Sequence, residues 1–120
     1  MEITTREVAD VTILDLDGKL VRGVGDELLR DTMDRLLGEH RKKVLINLSK
    51  VTFIDSSGVG ELVASKKVAE QLGTSLKLMR MPDRVHQTLK LSLLMPMFET
   101  HQSEEAALAA FADKPSDAAG

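Results

Sequence analysis

Val44-Leu45-Ile46-Asn47-Leu48, followed within a few residues by Ile54-Asp55-Ser56-Ser57-Gly58, is the part of the chain on which the fold turns. The first run is short, apolar and rich in strand-forming residues. From Gly58 onward the apolar residues recur at helical spacing instead. Asp55, Ser56 and Ser57 therefore fall where a buried strand gives way to a helix, and Ser, Thr, Asp and Asn are the residues that satisfy the orphan amides of a first helical turn. Two hydroxyls and a carboxylate at such a mouth suit a phosphate, because the amides and the helix dipole both favour negative charge.

Working outward, Ile3 to Val8 and Val11 to Leu16 read as two strands joined at Ala9-Asp10, an antiparallel hairpin. Ala-Asp is a poor pair for the tightest turn, which leaves room for a wider loop. Asp17-Gly18 is expected to close the second strand, with Lys19-Leu20-Val21 as a separate extended piece. Leu28, Leu29, Met33, Leu36 and Leu37 then mark one face of a helix ending near Gly38. Lys43 to Leu48 reads as a strand covered on both faces. A second helix is expected from about Ser57 to Leu72, with Val59, Leu62, Val63, Ala69 and Leu72 inward and Gly73 just past its end.

Ser75 to Met79 is a further strand. Pro82 suits the first position of a short helix carrying Val85 and Leu89 inward. Leu91 to Phe98, broken by Pro96, reads as a loop leading to a last short strand around Phe98 to Thr100. Ser103-Glu104-Glu105 caps a terminal helix through Phe111. The sequence thus predicts one α/β domain over 1–112, a mixed sheet of about four to five strands with an opening hairpin and about four helices packed on it, and a flexible tail over 113–120.

Composition removes several function classes. With three Phe as the only aromatics and no Trp or Tyr, the core has to be aliphatic, and base-stacking platforms are missing. A net charge of −3 with dispersed cations lacks the electrostatic footprint of a nucleic-acid binder, so no direct nucleic-acid partner is expected. The absence of cysteine removes thiolate metal sites and disulfides and fits a reducing compartment. The first residues lack the apolar core of a signal peptide, and no run approaches roughly 18 apolar residues, so a cytoplasmic protein without membrane attachment is expected.

Catalytic and cofactor signals are equally thin. His40, His86 and His101 are far apart in sequence and share no metal-ligand spacing, so no metal is expected. Ser56 and Ser57 lack the Gly-x-Ser-x-Gly frame of a serine hydrolase. Neither Gly23-Val24-Gly25 nor Gly58-Val59-Gly60 continues into a Walker Lys-Ser/Thr or a dinucleotide fingerprint, so no cofactor is expected. Met79, Met81, Met95 and Met97 read as adaptable core or as an apolar patch facing a partner. From the residues alone, Asp55 and Ser56 are either plain helix caps or the setting of a modifiable hydroxyl, and either serine could be the acceptor.

Taken together, Asn47 through Gly60, Leu14-Asp15-Leu16-Asp17-Gly18-Lys19-Leu20 and Gly73-Thr74-Ser75-Leu76-Lys77-Leu78 resemble the STAS domain of bacterial anti-sigma factor antagonists in order and spacing. The resemblance implies that Ser56, immediately after the aspartate, is the phosphorylated residue. It further implies partner switching: the unphosphorylated protein binds a GHKL-type serine kinase that doubles as an anti-sigma factor, freeing a sigma factor. Phosphorylation then dissolves that complex, and a PP2C-type phosphatase resets it. Asp55, Ser56, Ser57, Gly58 and Val59 would be the partner-binding residues, with Ser57 helping to cap or position the turn. The protein itself would be no enzyme. Family antagonists often carry an acidic residue just after the Gly-x-Leu turn, near the phosphorylation site; Val21 stands there in this sequence, a departure that leaves the Ser56 assignment unchanged. The alternative within the family is a non-switching scaffold or subunit, of a stressosome-like or lipid-transport complex, with Ser56 only a helix cap. Two readings outside it are a receiver-like domain phosphorylated on Asp55, against which the opening hairpin argues, and a nucleotide-binding module using Gly58 and Gly60.

Overall fold

The computed structural model describes residues 1–112, and the expected tail at 113–120 lies outside them. The chain opens with strands β1 (Glu2–Val8) and β2 (Val11–Leu20), continues through α1 (Gly25–Gly38), β3 (Lys43–Ile54), α2 (Ser56–Gln71), β4 (Ser75–Met79) and α3 (Asp83–Leu91), and closes with a 3₁₀ turn (Met95–Met97), β5 (Thr100–His101) and α4 (Glu104–Ala112). The sheet runs β1-β2-β3-β4-β5, antiparallel between β1 and β2 and parallel elsewhere. This is the mixed sheet with an opening hairpin that the sequence predicts. Ala9 and Asp10 form a tight two-residue turn after all, with Val8 facing Val11 and Ala9 at φ 56°.

Alternation along the strands divides the interior in two. Leu14, Leu16, Val44, Ile46, Leu48, Leu76 and Leu78 point to one face, where they meet Leu29, Met33 and Leu36 of α1, Val59, Leu62 and Ala69 of α2, and Val85 and Leu89 of α3. Val11, Ile13, Leu45 and Met79 point to the other, under Ala107 and Phe111 of α4. The central strands are covered twice, so Val11 to Leu14 and Val44 to Leu48 are buried without interruption. Buried polar groups on these strands are paired. The Lys77 ammonium, 5.0 Å from the Phe111 ring centroid, donates to Glu99 at 2.6 Å. Asn47 donates to Asp15 at 2.8 Å, which in turn holds Arg6.

Several boundaries depart from the sequence reading. The largest difference is that β2 does not stop at Asp17-Gly18 and β3 does not stop at Leu48: the two strands stay paired as far as Leu20 and Ile54. Two irregularities in this extension each give β3 one residue more than β2, changing the burial period from two to three, so that Leu48, Val51 and Ile54 are the inward residues. Pro82 sits one place earlier than expected, capping α3 rather than opening it. Leu72 ends α2 exposed rather than buried, with Gly73 beyond it at φ 76° as expected. Ser103 caps α4, its hydroxyl accepting from the Ala106 amide at 3.1 Å.

The extension positions the site. β4 pairs with β3 only as far as Asn47, so the last residues of β3 reach past the parallel centre of the sheet alongside β2. They deliver Asp55 to a corner where the β2–α1 connection and the start of α2 meet.

Candidate functional site

Two helices begin against successive peptides at the end of β2. A Cβ on Gly25, the first residue of α1, would stand 2.4 Å from the Lys19 carbonyl oxygen, and one on Gly58 would stand 2.1 Å from that of Leu20. Both distances are far inside van der Waals contact with backbone that cannot step aside. Only glycine lets the first turns of α1 and α2 seat directly against the end of β2.

Asp55 fixes the junction. Its backbone is extended (φ −113°, ψ −174°), and one carboxylate oxygen accepts from the Gly58 amide at 2.9 Å, closing the N-cap of α2. The other accepts from the Arg22 amide at 3.1 Å. The Asp55 amide itself donates to the Leu20 carbonyl at 3.4 Å, and its carbonyl accepts the first helical bond from Val59 at 3.0 Å. One side chain thus ties the β2–α1 loop to the mouth of α2 across 33 residues of sequence. The amides of Arg22 and then Gly58 stabilise the ionised form and hold the Asp55 carboxyl below its usual range.

With the cap supplied by Asp55, the serines are left free. Ser56 is the first helical residue and is exposed, and Ser57 is half-buried. Neither hydroxyl makes a hydrogen bond among the described residues. The cap role that the alternative reading gives to Ser56 therefore belongs to Asp55, and the hydroxyl expected of Ser57 as a helper caps nothing. Gly58 and Val59 are buried, so of the five residues expected to meet a partner these two present no side-chain surface and serve to hold the turn. Around Ser56 the same corner displays the exposed Arg22 and Val24, the latter 51% accessible.

The family pattern brings the position of Val21 near the site, but no sequence signal gives the way the loop joins it. Val21 organises a tight turn, its carbonyl accepting from the amides of Val24, Gly25 and Asp26, while Asp26 accepts from the Gly23 amide at 2.8 Å. Arg22 enters through a backbone amide, which no side-chain pattern signals. The pair Gly25 and Gly58, each in the first turn of a helix, is the one trace in the sequence of two helix starts seated on the end of β2.

Elsewhere the fold offers less. The Gly58 amide that a phosphate cradle would use is taken by the Asp55 carboxylate, and among the described residues no group of three or more His, Cys, Asp or Glu could hold a metal. His86 and His101, remote in sequence, do line one cleft of about 300 Å³ with Arg80, Asp83 and Met95. His101 is paired with Glu99 at 2.8 Å. Met79 is buried under α4, while Met81, Met95 and Met97 pack half-buried against the core on the opposite face of the sheet. No helix among the described residues is long and apolar enough to cross a membrane.

Solved structures share this architecture. A candidate anti-sigma factor antagonist from Thermotoga maritima aligns at TM-score 0.83 and 23% identity, over 90% of this chain and 92% of its own. The Bacillus cell fate determinant SpoIIAA in its phosphorylated form aligns at 0.72 and 20%, over 92% and 99%. A sulfate transporter family protein from Wolinella succinogenes aligns at 0.74 and 24%, over 86% and 85%. These likenesses carry the fold. The STAS domain profile matches residues 2–107, nearly the whole of the described chain, and the protein belongs to the STAS domain family.

Proposed function

We propose that this protein is an anti-sigma factor antagonist that works by partner switching, with Ser56 as its phosphoacceptor. The observation that carries the reading is the free, exposed Ser56 hydroxyl at the first position of α2, beside a carboxylate that already does the capping. In the reaction the terminal phosphoryl group of ATP passes to Ser56 Oγ. The new O–P bond forms as the bond to ADP breaks, and the hydroxyl proton leaves to a base of the kinase. Catalysis and ATP belong to the GHKL-type kinase, and this chain is its substrate in the cytoplasm.

The geometry supports a switch by charge alone. A phosphoserine adds about 1.5 to 2 negative charges. The amides opening α2 tolerate them, whereas Asp55 and any acidic surface docked over the corner do not. Two unit charges about 4 Å apart near a surface interact by up to about 4 kcal/mol. A micromolar complex amounts to about 8 kcal/mol, and each 1.4 kcal/mol is about tenfold, so one phosphate weakens it by up to about a thousandfold without refolding the domain. A PP2C-type phosphatase would restore the binding form.

The likeness to a sulfate transporter family protein favours a second reading, a non-switching STAS module in a larger assembly. Titration of the kinase against Ser56→Ala and Ser56→Asp proteins separates the two. The switch reading expects tight binding by the Ala variant and a loss of about tenfold to a thousandfold for Asp, one to three powers of ten at about 1.4 kcal/mol each. Equal affinities would leave the module reading standing.

A further inference from the structure

We propose that Arg22 is the phosphoryl-binding residue of the modified protein, drawing phosphoserine 56 onto the β2–α1 loop. The inference rests on Ser56 as phosphoacceptor and adds what the phosphate meets. Arg22 is exposed, and among the described residues its guanidinium makes neither an ion pair nor a hydrogen bond. Its backbone is nonetheless fixed: the amide is held 3.1 Å from the Asp55 carboxylate, and the Val21 carbonyl knots the following turn. Ser56 is the next residue after Asp55, about 3.8 Å further along the chain. An extended Arg side chain spans on the order of 6 Å by its bond lengths, so its head reaches a phosphate on Ser56 from a backbone that does not have to move.

Lys19 is exposed near the end of β2 and Arg84 donates to the Thr52 carbonyl at 3.5 Å, while the carboxylates of the loop and cap are bound to backbone amides. Asp55 accepts from the Arg22 and Gly58 amides, and Asp26 accepts from the amides of Gly23 and Glu27. Glu27 is exposed in the first turn of α1. Arg22 is the cation that this loop offers a dianion, and a guanidinium binds phosphate through paired, charge-assisted hydrogen bonds. Once engaged, it is withdrawn from the surface shown to the kinase. Phosphorylation then changes two features of that surface, the charge at residue 56 and the availability of the cation at residue 22.

The test installs phosphoserine at position 56 during translation, so that no kinase is involved, and follows its ³¹P resonance through a pH titration. The second ionisation of phosphoserine, ordinarily near about pH 6, is expected to lie lower in the parent protein than in Arg22→Gln by about half a unit or more, with Arg22→Lys between them. Arg35→Gln, at the far end of α1 and about 15 Å from its start, controls for charge in general and is expected to leave the value unchanged. Identical titrations for the parent and Arg22→Gln proteins, or an equal rise with Arg35→Gln, would overturn the proposal while leaving Ser56 as a kinase substrate untouched. Failure of kinases to modify Ser56 would remove the substrate reading without altering this measurement.

Discussion

Replacing Gly58 by alanine and, separately, Gly60 by alanine should move stability in opposite directions, although the two sites lie two residues apart in the same helix. Alanine is worth about 1 kcal/mol more than glycine in a helix interior, and at Gly60 nothing lies within 4 Å of the added methyl. Gly60→Ala should therefore stabilise by about 0.5 to 1 kcal/mol. At Gly58 the methyl would sit 2.1 Å from the Leu20 oxygen, 2.9 Å from the Ile54 side chain and 3.0 Å from the Leu20 carbonyl carbon. Two of those atoms are backbone of Leu20, where β2 is still paired to Ile54 of β3, so relief comes chiefly from α2 moving away. That movement stretches the Asp55 cap, worth about 1 kcal/mol, and loosens Val59 and Leu62, for an overpacking cost of about 1 to 3 kcal/mol. Against the propensity gain, the expected net loss is about 1 to 3 kcal/mol. Urea unfolding of the three proteins, with the denaturant slope checked for constancy, reads both values. A Gly58→Ala protein as stable as its parent would refute the idea that α2 is seated on the Leu20 peptide.

Other consequences follow from single contacts. Asp55→Ala should cost about 1 kcal/mol at pH 7. Because the folded carboxyl is held below its usual value, that stabilisation is present above the unfolded pKa of about 4 and fades as pH falls through the depressed folded value, so the two unfolding curves should converge in acid. The same sign applies to Asp15, Glu99 and Glu104, lowered chiefly by hydrogen bonds from Arg6, Lys77 and Arg6, and thermal unfolding should accordingly show stability falling from pH 5 towards pH 3. Glu99→Ala leaves the Lys77 ammonium, 4% exposed, without its partner. A loss of about 1 to 2 kcal/mol is expected, discounted because Glu99 is half exposed. Lys77→Met should be close to neutral, and chemical denaturation of the pair shows whether this asymmetry holds.

What the sequence makes legible follows from where its local patterns survive folding. The helices keep a single buried face each, and Leu29, Met33, Val85 and Leu89 are inward as their spacing predicts. β2 and β3 hide their length because the irregularities beyond Asp15 put inward residues three apart in β3, and because Ser49, Lys50, Thr52 and Phe53 between them are exposed. A periodicity argument tuned to two residues stops at Leu48. Asp55 and Ser56 stand out as residue types suited to a helix start. Which of them caps depends on a carboxylate reaching both Gly58 and Arg22, and the second contact links segments far apart in sequence through a backbone amide. For the same reason the burial of Gly58 becomes visible only once Leu20 is known to lie against it.

The central claim is that Ser56, left free by the Asp55 cap, is the hydroxyl that accepts a phosphoryl group. Incubating the protein with the GHKL-type kinases of its source genome and ATP, followed by tandem mass mapping, tests it most directly. The account predicts one phosphoryl group per chain, located on Ser56 and absent from Ser56→Ala, while Ser57→Ala is still modified. Phosphate on Ser57, undiminished modification of the Ser56→Ala protein, or no modification by any of those kinases would contradict it.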